Sequence, residues 1–221
     1  MKILFLRVGI DRGCGGTLSP IFEDRSFEYV PIPEFSEVIP GKGLTYSDLP
    51  ARSGGTLARF SGSTRLTHYD PEFETFTYGE PSEPKRSQLL RLAEDDYLVF
   101  YAGFQGGTVS AGTCFVIGYI QVKKVHPVLE NDEWPPSSLK HLHNNAHFRR
   151  KNAERSLVVV EGKPSGSRLL EQAAQLSDSA QKVLPHISGI IGIDGSVKRA
   201  IGRWVPEDHI NGAADWLLSL D

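Results

Sequence analysis

Asp11, Arg12 and Cys14 place an acid, a base and a thiol inside one short loop, residues 9–16, in which Gly9, Gly13, Gly15 and Gly16 alternate with them. Glycines let a backbone take positive φ and approach a ligand closely, and the apolar run before the loop reads as a strand that delivers it. In that setting Asp11 suits a general base, Arg12 suits a developing negative charge, and the backbone at Gly13 suits a phosphate. The same residues also make a tight turn in which Asp11 accepts from backbone N–H groups. Cys14 with Asp11 and His147 would supply a nucleophile system. No GxSxG elbow or similar signature surrounds it, so Cys14 reads as a bystander.

Three histidines, His141, His143 and His147, form a second group. On a helix His143 and His147 would lie one turn apart on one face, which is metal-ligand geometry, while His141 would point elsewhere. Asn144 and Asn145 stand where an HExxH motif needs its glutamate, so a zinc-hydrolase reading loses its base. Three roles stay open: a metal pair, a nucleotide contact made by Asn145, His147 and Arg149, and structural histidines. No metal set is assigned and no cofactor is named. If the chain is an enzyme, His147 is the better acid and Asp11 the better base.

Two further turns favour anions. Lys163, Ser167 and Arg168 follow the apolar run at residues 157–161, and a helix expected from about Leu169 would add its N-terminal N–H groups. Ser196 and Arg199 repeat that chemistry before Arg203 and Trp204. Tyr78 and Tyr101 are the aromatics on which a base would stack. Tyr46, His68, Tyr69 and Tyr78 belong to the irregular region and line a surface there or pin the loop to the core.

The elements behind these groups follow from composition and period. At 221 residues the chain suits a single domain, 1–221, with 39% hydrophobic and 23% charged residues and no apolar run near the roughly 20 residues that span a bilayer. Arg7 interrupts the first apolar run, which reads as a strand and not as a signal-peptide core. Two cysteines without CxxC spacing fit a reducing cytoplasm. Net charge is −3, yet residues 140–203 carry eleven Lys and Arg against five Asp and Glu. That basic segment concentrates anions. Strands are expected at residues 2–10, 27–32, 97–104, 114–122 and 157–161, with helices at 87–94, 137–150 and 211–220. Residues 34–86 read as a long irregular insertion of the kind that forms a lid or binding loop. The strands at 97–104 and 114–122 make an antiparallel hairpin with a long tip, and Gly103 and Gly118 mark bulges or close backbone approach.

Three blocks carry a family resemblance: RVGIDRGCGGTLSPIFEDRSFEYVPIPE at 7–34, LVFYAGF with FVIGYIQV at 98–122, and NNAHFRR with SGSRLL and GSVKRAIGRW at 144–204. Together they resemble the third type of nucleotide-modification-associated domain, a prokaryotic family that genomic context links to hypermodified DNA bases. The resemblance implies a protein that handles a nucleobase or nucleotide in DNA modification, with nucleotide or DNA as partner. The hairpin separately resembles the central strands of PUA-like barrels of the EVE, ASCH and YTH groups, which implies a non-catalytic reader of modified bases; a partner-binding protein is the third reading. The fold expected is α+β, a mixed, barrel-like sheet with flanking helices, or alternatively an open α/β sheet.

Overall fold

The computed structural model describes residues 1–61, 65–129, 133–154 and 156–220. Its strands are β1 (Ile3–Arg7), β2 (Ser19–Pro20), β3 (Ile32–Pro33), β4 (Leu44–Thr45), β5 (Leu66–His68), β6 (Thr77–Glu80), β7 (Tyr97–Gly106), β8 (Val109–Leu129), β9 (Ser156–Gly162), β10 (Arg168–Gln175) and β11 (Arg203–Trp204). Four short helices join them: α1 (Ala58–Ser61), α2 (Lys85–Leu89), α3 (Pro185–Ile191) and α4 (Ile210–Leu218). The fold is therefore mixed α+β and dominated by sheet.

The large sheet has the order β11-β1-β7-β8-β9-β6, with β2 continuing the β1 edge of β7 and β10 continuing the β9 edge of β8. Its apolar β1 lies parallel to β7, from Ile3 beside Tyr97 to Arg7 beside Tyr101, and both strands are buried on both faces, as continuous apolar runs require. Among the described residues the pairings form an open path ending at β11 and β6, so no closed barrel is formed. Strand β8 runs for 21 residues, kept continuous past bulges opposite Phe100/Tyr101 and at Val122/Lys124. A Cβ at Gly118 would stand 2.4 Å from the Arg168 carbonyl oxygen, so glycine there admits β10 to the edge of β8.

Several elements differ from the expectation. Residues 137–150 form two 3₁₀ turns, Ser137–Leu142 and Ala146–Arg149, instead of one helix. Asn145 takes ψ 137 between them, and the turns drape Leu142 and Phe148 over Val128, Leu157 and Val159 in a separate small core. Burial of those two side chains outweighs the modest helix propensity of a His- and Asn-rich run. The segment after Arg168 is β10 and not a helix, because the free edge of β8 offers it a ladder. Residues 27–31 contribute a bridge at Phe27 but no regular strand. The hairpin tip is tight, with Gly106 already paired to Val109.

The irregular stretch from residue 34 is not a loose loop. Strands β3, β5 and β4 form a three-stranded antiparallel sheet, and Ile10, Val30, Tyr46, Leu49, Ala51 and Leu57 pack beneath it as a second core. Its last strand, β5, ends where the chain turns back toward the large sheet, and that turn delivers two of the residues described next. No helix among the described residues is long and apolar enough to cross a membrane.

Candidate functional site

A cleft of about 330 Å³ opens between the C-terminal end of β1, the end of β5, β6 and the 3₁₀ turn at Ala146–Arg149. At its floor lie His68, Asp70 and His147, each less than 9% exposed. His68 closes β5, and the Asp70 N–H donates to the His68 carbonyl at 2.9 Å, a tight turn that puts both side chains on one side. His147 is fixed through its backbone, since its N–H donates to Asn145 Oδ1 at 3.1 Å as part of an N-cap.

The three side chains point at one another. Asp70 Oδ2 is 3.5 Å from His147 Nε2 and 3.9 Å from His68 Nε2. The Asn145 amide donates to Asp70 Oδ1 at 2.9 Å, and the Gly79 N–H approaches both carboxylate oxygens at 3.1 and 3.2 Å. Behind the rings, His68 Nδ1 meets Glu34 at 2.8 Å and His147 Nδ1 meets Glu154 at 2.5 Å. Arg150 ties those two carboxylates together, 3.1 Å from both oxygens of Glu34 and bonded to Glu154. Each imidazole is thus held by a carboxylate on its far nitrogen, leaving Nε2 to face Asp70.

The electrostatics divide the histidines. Burial pushes the His147 imidazolium down, but Asp70 and Glu154 on its two nitrogens outweigh burial and lift its pKa to about 9. Burial and the neighbouring His147 charge push His68 down, against the pull of Glu34. Glu34 itself is held well below the usual carboxylate range: burial opposes this, but His68 and Arg150 overcome it. The surroundings therefore favour the charged form of His147 and the neutral form of His68, in a site lined also by Arg7, Lys85 and Arg150.

The residues expected from sequence are distributed as follows. His147 is central, and Tyr78 walls the cleft, its hydroxyl 3.3 Å from Glu80. Asn145 is wholly buried behind Asp70 and supports it without lining the cleft. Asp11 lies at the rim, where its Oδ1 accepts the N–H groups of Gly13 at 2.8 Å and Cys14 at 2.9 Å. Although burial opposes it, those bonds and Arg7 lower its pKa, so its carboxylate serves the turn. Arg12 and Gly13 are exposed and line an adjoining hollow with Lys198, not the cleft. Ser196 accepts from the Lys198 N–H at 3.2 Å, and this basic turn reaches the cleft rim through Ala200, with Arg199 exposed beside it.

Other expected residues stand elsewhere. Tyr101 is fully buried and donates to the Val197 carbonyl at 3.2 Å, so its ring presents no face to a ligand. Arg149 donates to the Asn144 and Lys42 carbonyls, away from the cleft. Lys163 pairs with Glu94 and Asp95, and Ser167 accepts from the Gln121 N–H. None of Lys163, Ser167 and Arg168 lines the cleft. With β10 in place of the expected helix, no helix N-terminus faces an anion there. His143 turns to the Pro136 carbonyl at 3.1 Å and shares no ligand atom with His147, so that pair is not formed.

Sequence reasoning did not find Asp70, Glu34, Glu154 or the roles of His68 and Arg150. One signal was available: a histidine and an aspartate two residues apart share a face of extended chain. The third corner, His147, arrives from far along the sequence, and only the fold supplies that.

The chain matches the family described as "nucleotide modification associated domain 3" over residues 2–213. No curated protein matches it. Among solved structures, the N-terminal domain of Thermococcus gammatolerans McrB, bound to m5C DNA, is similar at 16% identity and a TM-score of 0.39, covering 99% of this chain and 98% of that one.

Proposed function

This chain belongs to the nucleotide modification associated domain 3 family, and on that premise we propose that its cleft holds a single nucleobase or nucleotide during DNA base modification and acts chemically on it. The observation that carries the reading is the buried triangle of His68, Asp70 and His147 at the floor of the cleft. Burying ionisable groups costs free energy, and a core gains nothing from three of them aimed at a cavity. A volume of about 330 Å³ is at the small end for ligand sites, which suits one base with its sugar and not a folded polymer.

Tyr78 gives the base an apolar wall, while Arg7, bonded to Gln181 and the Lys198 carbonyl, and Lys85, paired with Glu80, line the cleft and suit a phosphate or a ring carbonyl. The reacting part of the ligand lies against the triangle. Asp11 then shapes the rim, and the exposed Lys198 and Arg199 beside it serve the backbone of a nucleic acid.

Titrating isotope-labelled protein with nucleoside monophosphates and with short DNA carrying unmodified or substituted bases tests this. Binding should move the resonances of His68, His147 and Tyr78. Shifts confined to the 163–168 turn, or no shift with any of these ligands, would overturn the placement. Mass spectrometry of the recovered ligand then separates enzyme from reader: an altered base supports the proposal, and an unaltered one after incubation with divalent metal supports a reader.

A further inference from the structure

The triangle has the attributes of a metal centre. One donor atom from each of His68, Asp70 and His147 lies within 4.8 Å of the other two, and Asp70 Oδ2, which also receives the Gly79 N–H, is 3.5 Å from His147 Nε2 and 3.9 Å from His68 Nε2. An ion bound about 2.1 Å from each donor sets them roughly 3.0–3.4 Å apart in octahedral or tetrahedral geometry. Shared between the two rings, the widest gap that a 4.8 Å spread allows closes with shifts of about 1 Å or less each.

The supporting residues are those a metal site needs. Ligating histidines are held by a carboxylate or carbonyl on the opposite ring nitrogen, and here Glu34 and Glu154 do that for both rings. Asp70 is oriented in turn: Asn145 occupies its Oδ1, and Oδ2 turns to the two imidazoles. Arg150 neutralises the outer carboxylates and does not enter the triangle. Gly79 completes the fit, since a Cβ there would stand 2.4 Å from the His147 ring.

We propose that His68, Asp70 and His147 are the protein ligands of one divalent first-row transition-metal ion whose remaining coordination positions face the cleft. Two imidazoles and one carboxylate select ions such as Fe²⁺, Mn²⁺, Co²⁺ or Zn²⁺ over Mg²⁺ and Ca²⁺, which take oxygen donors. Three ligands from one side leave positions for water or for an oxygen of the bound molecule. The metal rests on the triangle alone; only the identity of the molecule that meets its open positions rests on the nucleotide reading above.

A second cluster, His126, His141 and Glu161, supplies the control, because its His141 is exposed and its members come from β8, the Ser137–Leu142 turn and β9, elements that contribute no ligand to the triangle. Chelator-treated protein is titrated with Co²⁺ and followed by visible absorption, and with Mn²⁺ followed by broadening of histidine ring resonances. One equivalent of Co²⁺ should develop d–d bands, and Mn²⁺ should broaden His68 and His147 first. Asp70→Asn and His147→Gln should lose the bands, Glu154→Gln should weaken Co²⁺ about 10- to 100-fold, and His141→Ala should keep them. Wild-type protein that develops no bands, or binding that follows His141, overturns the proposal. The Mn²⁺ measurement needs no variant and decides the case should the buried substitutions unfold. Co²⁺ uptake at these rings without any nucleotide binding would leave the metal site standing and remove the nucleotide reading; nucleotide binding without metal uptake would do the reverse.

Discussion

Replacing Gly79 with alanine probes the site without replacing any of the side chains that line it. The added Cβ would lie 2.4 Å from His147 Cδ2 and 3.0 Å from Asn145 Oδ1. Carbon atoms rest about 3.5–4.0 Å apart, so the ring must retreat by more than about 1 Å. It has nowhere cheap to go: Glu154 holds its Nδ1 at 2.5 Å, Asn145 holds its backbone N–H at 3.1 Å, and the residue is buried. A displacement that large breaks the bond to Glu154. Overpacking costs about 1–3 kcal/mol and a stranded bond to a charged group a comparable amount, which together predict a loss of about 3 kcal/mol. Gly189 is the control, because a Cβ there meets nothing within 4 Å and the residue lies inside α3. Gly189→Ala should gain about 0.5–1 kcal/mol. Urea denaturation measures both, and the His147 ring resonance reports the displacement. A Gly79→Ala protein within about 0.5 kcal/mol of wild type, with that resonance unmoved, would refute the packing argument.

Asp11→Asn should retain nucleotide affinity within about threefold and fold normally, since the amide oxygen can still accept from Gly13 and Cys14; isothermal titration checks it, and a complete loss would return Asp11 to the reaction. Tyr101→Phe removes a buried hydroxyl bonded to the Val197 carbonyl and should cost about 1 kcal/mol in urea with ligand affinity unchanged. Burial works to raise the Glu161 carboxyl, but Lys123 and His126 outweigh it and hold its pKa at about 2. A depressed carboxyl pKa stabilises the fold above the unfolded value near 4.5, and that contribution is lost as pH falls toward 2. The melting temperature of Glu161→Gln should therefore change less than that of wild type between those two values; parallel curves would count against the Lys123 and His126 pairing.

The central sheet was legible because its strands carry their own evidence. Residues 97–104 and 114–122 are mostly apolar, β-branched and aromatic, and they pair as read, with Gly118 making the close approach its position implied. Local pattern failed where a neighbour decided the outcome. The edge of β8 recruits residues 168–175 as a strand, and the small core around Phe148 breaks the expected helix at Asn145. The site divides in the same way. His147 was singled out by its side-chain chemistry, whereas Asp70 offers only its spacing from His68 and acquires meaning when β5, β6 and the Ala146–Arg149 turn converge on it. Asp11 stays open to both readings because a glycine-rich loop that caps itself and one that binds a ligand are written with the same residues.

The stretch between β3 and β6 also sets the order in which the chain can become competent. His68 and Asp70 are made early, on a small sheet with its own core, and His147 follows about 80 residues later, after β7 and β8 have been completed. At synthesis rates of about 5–20 residues per second, the donor set waits roughly 4–16 s for its last member. The proposed site also needs what comes after His147, namely Glu154 on its ring and β9, which pairs with β6 and so holds the Gly79 N–H against Asp70. The cleft is therefore closed by the last third of the chain, although its first two corners come from the first third.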